Sequence, residues 1–292
     1  MSAIYRTFIP GSKWIFLKLY TGEKTADNLL IRVISPIINK LLKEKYIEKW
    51  FFIRYADPDF HLRIRLLAQD SRYIGEIVQQ FYHKLNKLNQ DHLLWKVQLD
   101  TYNRELERYG RHLIDNAESV FYADSECILS IIRILKGDEN YRWMVALNLI
   151  NELLSDFSLN IEEKQKLMED ACKSFKTEFG FNEHNSKQLN TKFRENKRTI
   201  ESILNVEFNK KEFISLSLPI KKRSKQIMPI VEQIKIKAKT KKSISMNVLL
   251  RSYLHMMLNR LFRSNNRVHE LILYDFMFRY YTSEIAKEKY NK

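Results

Sequence analysis

Apolar residues fall into two regimes along the chain. Up to about Tyr102 short runs and alternation are interspersed with two stretches of helical spacing, and beyond Gly110 apolar residues recur every three to four residues throughout. Trp14–Tyr20 (WIFLKLY), closed by Thr21-Gly22, predicts a strand. In Thr25–Leu42 the pairs Leu29/Leu30, Val33/Ile34, Ile37/Ile38 and Leu41/Leu42 build one broad apolar helix face, with a kink expected at Pro36. Trp50–Leu66 (WFFIRYADPDFHLRIRL) holds two aromatic and β-branched arms around Ala56-Asp57-Pro58-Asp59, which reads as strand, turn, strand. A helix follows over Tyr73–Leu88, carried by Ile74, Ile77, Val78, Phe81 and Leu85, then a strand over Leu94–Tyr102.

The order β-α-β-β-α-β is that of the ferredoxin-like split βαβ unit, an antiparallel four-stranded sheet with two helices on one face. Helices are then predicted over Ala117–Ile134, Tyr141–Phe157, Ile161–Phe179, Ser186–Leu204, Lys222–Lys237, Ile244–Leu261 and Val268–Tyr290. The expected fold class is α+β: a ferredoxin-like part over residues 1–110 and a largely helical part over 111–292 packed on it, in one domain. Neither a long polar linker nor an internal repeat interrupts the chain.

Composition narrows the setting. With 292 residues and 45% hydrophobic content the chain can bury a sizeable core. It has no apolar run of membrane-spanning length and no signal-peptide layout at its start, so a cytoplasmic protein without membrane contact is expected. Cys127 and Cys172 lack metal-ligand spacing and read as buried or incidental thiols. The net charge of +15 points to an acidic partner or substrate. Part of that charge lies between Lys221 and Lys242, where nine basic residues face one acid, Glu232; this reads first as a solvated helix face, with a phosphate-tracking stripe as the alternative.

Three stretches carry candidate chemistry. In His61–Leu66 (HLRIRL), Leu62, Ile64 and Leu66 alternate with Arg63 and Arg65, so two guanidinium groups leave the same face of one strand. Adjacent like charges call for open water or an anion between them: either an edge strand with exposed arginines or an anion clamp. In Thr101–Gly110 (TYNRELERYG), Glu105 and Arg108 stand three apart and can pair on a helical turn that Gly110 ends. In Leu250–Phe262 (LRSYLHMMLNRLF), His255 and Asn259 share a helix face, where a histidine is either a core residue or a proton carrier. Phosphate loops, H-E-x-x-H, Cys/His zinc spacing and G-x-S-x-G elbows do not occur.

Taken in order, WIFLKLY, WFFIRY-x-DP-xx-HLRIRL, Y-x-RELERYG, AE-xx-F-xx-DS (Ala117–Ser125) and HMMLNRLF resemble the lantibiotic dehydratase C-terminal domain, also called the thiopeptide-type bacteriocin biosynthesis domain. The resemblance runs from about Trp14 to the last helix. It implies a lyase that eliminates glutamate from glutamylated Ser or Thr of a ribosomal precursor peptide, leaving dehydroalanine or dehydrobutyrine. It also implies a free-standing elimination protein, needing no cofactor or metal and no tRNA of its own, that works with a separate tRNA-dependent glutamylating protein on the precursor's leader and core; a homodimer is compatible with it. On this resemblance the elimination residues fall on Arg63, Arg65, Arg108 and His255, with Glu105, Arg104, His61 and Asn259 supporting substrate binding. Arg263 departs from the family, which often has Gly after N-R-L-F, so the end of that helix is expected to differ. Two other readings stand beside elimination: the pyridine-forming cycloaddition enzymes of the same fold, which do not keep this Arg/Arg, E-x-x-R and His set, and a non-catalytic module that binds precursor peptide or scaffolds the glutamylating protein.

Overall fold

The computed structural model describes residues 4–205, 211–241 and 244–290. In chain order the elements are β1 (Thr7–Phe8), β2 (Trp14–Tyr20), α1 (Glu23–Leu29), α2 (Ser35–Lys43), β3 (Ile47–Ala56), β4 (Phe60–Ala68), α3 (Ile74–Gln90), β5 (Lys96–Leu99), β6 (Tyr102–Asn103) and α4 (Leu106–Tyr109). They continue with α5 (Ile114–Leu135), α6 (Arg142–Asp156), α7 (Ile161–Glu178), α8 (Glu183–Asn205), α9 (Lys211–Lys241), α10 (Met246–Leu261) and α11 (Asn266–Tyr290). Two compact units form: one from residues 1–137 and 232–264, the other from 138–231 and 265–292. Helices α5 and α10 thus belong with the sheet.

The first unit is built on an antiparallel sheet of order β3-β4-β2-β5, the ferredoxin-like arrangement expected from the strand pattern. β4 is internal, paired with β2 and β3 along its length, so the edge-strand reading of HLRIRL is corrected. Leu62, Ile64 and Leu66 are fully buried under α1, α2 and α3, and burial on that scale holds the strand in the middle of the sheet. Two details differ from the expected elements. Leu94–Tyr102 splits into β5 and β6, and β6 leaves the main sheet to pair with β1, which the pattern did not reveal because it is two residues long. The first helix widens to a π-helical turn over Leu30–Ile34 immediately before Pro36, which sits in the first turn of α2.

The exposed backbone of edge strand β3 is covered by side chains of α5 and α10. Phe52 N–H donates to Ser125 Oγ at 3.2 Å, Arg54 N–H donates to Asn259 Oδ1 at 2.9 Å, and Asn259 Nδ2 returns a bond to the Arg54 carbonyl at 2.9 Å. An edge that could template another chain is thereby closed. Replacing Asn259 with Ala leaves both main-chain groups of Arg54 without these partners and is expected to lower stability by about 2 kcal/mol, read as a lower urea midpoint at unchanged slope. Below the same edge, Asp27 accepts from Arg54 Nη2 at 2.6 Å and from Arg263 Nε at 2.8 Å. The departure at Arg263 therefore adds a second cation to a buried carboxylate instead of a helix-ending glycine.

In the second unit, α7 opens on a capping box between Asn160 and Glu163 and packs against α11, where buried Asp275 takes Lys176 and Arg279. The helix predicted over Lys222–Lys237 is longer, running through Pro219 and Pro229 as α9. Its basic residues are not one solvated stripe. Lys221, Lys222, Lys225 and Lys239 are exposed. Arg223 is buried in an ion pair with Asp156 at 2.9 Å, and Lys237 donates to Asn116 Oδ1 at 2.6 Å. Lys242 lies outside the described residues. Both cysteines are buried, and burial pushes the Cys172 thiol up to about 12. No helix of the described residues is long and apolar enough to cross a membrane.

Candidate functional site

Strand alternation and register assemble one basic face on the sheet. Arg63 stands between Lys18 of β2 and Ile53 of β3, Arg65 between Phe16 and Phe51, and His61 between Tyr20 and Tyr55, all on the face opposite α1 and α2. Arg63 lies 3.4 Å above the Tyr55 ring and its Nε donates to His61 Nε2 at 3.0 Å. Arg65 is only 9% exposed and its guanidinium sits among the rings of Phe16, Tyr102 and Phe51 at 4.6, 4.7 and 5.4 Å. Its Nε is buried without a hydrogen-bond partner. Among the described residues neither Arg63 nor Arg65 has an ion pair with a carboxylate; the nearby cation Lys18 does, with Asp100. Burial lowers the pKa of both arginines, and the charge of Arg63 lowers that of Arg65 further.

His61 proves to be the residue that orients Arg63. Its Nδ1 contacts the Asp59 carbonyl at 2.8 Å, so Nδ1 carries the proton and Nε2 is left to accept from Arg63. Burial lowers its pKa, keeping it neutral. A histidine whose folded pKa lies below its unfolded value of about 6.5 stabilises the fold above that pH and loses the contribution as pH falls through the window beneath it. Thermal midpoints measured against pH should drop on that acid side in the native chain and less in His61→Gln, which keeps an acceptor but cannot titrate.

The loop after β6 brings the second motif to the same region. Arg108 Nη1 lies 3.3 Å from Glu105 Oε2, and its Nε donates to Ser252 Oγ on α10 at 3.2 Å. Gly110, at φ +79°, ends α4 in a conformation that side-chain-bearing residues avoid. Burial raises the pKa of the Tyr109 hydroxyl, and the charges of Arg108 and Arg65 oppose that rise. Arg104 does something else than the expected substrate support. Its guanidinium is spent inside the fold, on Glu118 through Nε at 2.7 Å and Nη2 at 2.6 Å and on Asp115 at 2.8 Å. Glu118 is fully buried and also accepts from Tyr102 Oη at 2.9 Å, and Tyr102 is one of the rings around Arg65. Burial pushes the Glu118 carboxyl up while Arg104 opposes it; three hydrogen bonds to its two oxygens mark the ionised form.

His255 occupies α10 one turn after Ser252 and one turn before Asn259, and is half-buried. Residues three and four apart share a helix face. Ser252 holds Arg108 and Asn259 holds β3, so His255 lies on the stripe between those two contacts. Ser252, Tyr55, Tyr102 and Glu118 were not singled out from the sequence. A serine and three residues that look like core or helix surface carry no signal of their own; only the AE-xx-F-xx-DS spacing, which puts Glu118, Phe121 and Ser125 on one side of α5, pointed toward them. No group of three metal-ligating side chains occurs among the described residues.

The chain is 27% identical to the subtilin biosynthesis protein SpaB of Bacillus subtilis over 179 residues, 60% of this chain and 17% of SpaB. It is 26% identical to the epidermin biosynthesis protein EpiB of Staphylococcus epidermidis over 285 residues, 94% of this chain and 26% of EpiB. The chain thus spans about a quarter or less of these relatives. Its fold is like that of the tRNA-dependent lantibiotic dehydratase MibB from Microbispora sp. 107891, with a TM-score of 0.74 and 17% identity over 99% of this chain and 29% of MibB. It is also like the pyridine synthase TbtD from thiomuracin biosynthesis, with a TM-score of 0.66 and 9% identity over 94% of this chain and 99% of TbtD. The profile described as lantibiotic biosynthesis dehydratase C-term matches residues 14–281, and the chain therefore belongs to that family.

Proposed function

We propose that this chain is a lyase that eliminates glutamate from O-glutamyl Ser or Thr residues of a ribosomal precursor peptide. One observation carries the reading: Arg63 and Arg65 stand side by side, partly to wholly buried, with no carboxylate of the described chain paired to either. Buried cations are ordinarily paired, so a site that leaves two unpaired is built for an anion brought from outside. A glutamyl ester carries one free carboxylate, on the glutamate side chain, and releases a second carboxylate on elimination.

The reaction removes the α-proton of the acylated residue, developing enolate character on the peptide carbonyl, while the glutamate leaves the β-carbon as the carboxylate through which it was esterified. Both developing charges are negative, and fixed guanidinium groups favour them without reorganising. In this scheme Arg63 and Arg65 hold the glutamyl carboxylates, Arg108, braced between Glu105 and Ser252, faces the enolate or leaving group, and His255 transfers the proton. A separate tRNA-dependent protein supplies the ester.

Incubating the protein alone with a synthetic glutamylated Ser/Thr peptide, without tRNA or ATP, should release free glutamate and a dehydroamino acid visible by mass spectrometry. An unchanged ester would sink the proposal. The likeness to TbtD supports a second reading, cycloaddition of two dehydroalanines, which the same assay separates by offering a dehydrated peptide and looking for a cyclised product. His255→Phe should abolish elimination while peptide binding persists; retained turnover removes His255 from the scheme.

A further inference from the structure

Three buried donors around the aromatic wall of α5 lack acceptors. Arg65 Nε, Tyr109 Oη and Arg260 Nη2 are each buried without a hydrogen-bond partner, on residues 9%, 3% and 0% exposed. Their residues border two rings. Phe121 lies 5.1 Å from the Tyr109 ring and 5.0 Å from the Arg260 guanidinium, and Phe51, 5.4 Å from Phe121, carries the Arg65 guanidinium at 5.4 Å. The other arms of Arg260 are occupied: Nε by Ser125 Oγ at 3.2 Å, Nη1 by the Met256 carbonyl at 2.8 Å, with Asp124 at 3.9 Å. Tyr109 itself feels the charges of Arg108, Arg260 and Arg65. Guanidinium N–H groups only donate, and the buried carboxylate of Asp124, 3.9 Å from Arg260 Nη1, stops short of hydrogen-bond distance, so these three donors ask for an acceptor.

We propose that Tyr109 and Arg260, with the inner edge of Arg65, form a recess that binds a carboxylate of the glutamyl group. The inference rests on the elimination reading and assigns two further residues to it. Tyr109 supplies a neutral hydroxyl donor, since burial holds its pKa well above the ordinary phenol value. Arg260 supplies a cation that cannot move, because Ser125 and Met256 fix it.

Tyr109→Phe tests this cleanly, because removing a hydroxyl that has no partner should not weaken the fold. Two readouts are needed: the elimination rate on a glutamylated Ser/Thr peptide, and the thermal midpoint with and without sodium L-glutamate at constant ionic strength. The expected result is a variant at least as stable as the native protein, a 10- to 100-fold slower elimination, and loss of the stabilisation that glutamate gives the native chain. A less stable variant would show a fixed water on the hydroxyl and overturn the proposal, as would an unchanged rate or a native protein indifferent to glutamate. If the native protein makes no dehydroamino acid yet gains a glutamate-dependent midpoint that the variant loses, the recess stands and the elimination reading falls.

Discussion

Arg65→Met is expected to lower elimination by about 10²–10³-fold, the loss typical of removing one preorganised donor from a developing negative charge, while leaving the protein as stable as before or more so. The opposite signs follow from one structural fact. In the absence of substrate Arg65 is a buried cation with an unmet Nε and, as its charged neighbour on the strand, another cation, Arg63. The rings of Phe16, Phe51 and Tyr102 offset part of that cost. Replacing a poorly compensated buried charge with an apolar chain of similar volume is commonly neutral or stabilising. Thermal midpoints and single-turnover rates measured on the same preparations decide the matter. If stability and activity fall together, Arg65 is a structural residue and the anion-site reading loses its main support.

Glu118→Gln should have the largest effect on stability, a loss of about 3–5 kcal/mol, as expected when one member of a buried, hydrogen-bonded pair is removed. At roughly 2–4 °C per kcal/mol for a chain of this size, the midpoint should fall by roughly 10 °C. Glu118 is fully buried, fastens Arg104 by two bonds, and orients Tyr102 beneath Arg65. The variant leaves the Arg104 cation with only Asp115, whose side chain is largely exposed. Removing both partners in Glu118→Leu/Arg104→Met should recover most of the loss, since the uncompensated charge goes with them. Recovery would establish Arg104 as an internal strut; failure to recover would show that the pair contributes more than its own charge balance, through Tyr102 or the start of the RELERYG turn.

These two expectations separate what binds from what braces. Arg63 and Arg65 have neutral neighbours, His61 for Arg63 and aromatic rings for Arg65, while Arg108 is shared between Ser252 and the largely exposed Glu105. Arg54 and Arg104 look alike in sequence but are locked into the buried carboxylates of Asp27 and Glu118. A neutral neighbour leaves the charge available for a ligand, whereas a carboxylate neighbour consumes it.

By itself the sequence determined the α+β architecture, the four main strands and nearly every helix, because periods of two and about four residues follow directly from backbone geometry and need no knowledge of neighbours. It also determined that Arg63 and Arg65 share a face, that Glu105 and Arg108 can pair, and that His255 and Asn259 lie one turn apart. Tertiary structure alone decided that β4 is internal and its arginines are not an exposed edge, because strand order is set by which faces find partners and not by local pattern. It alone showed that Arg104 is bonded to Glu118 and that Arg63 donates to His61, since such pairings form only when the fold brings the accepting side chain beside the charge.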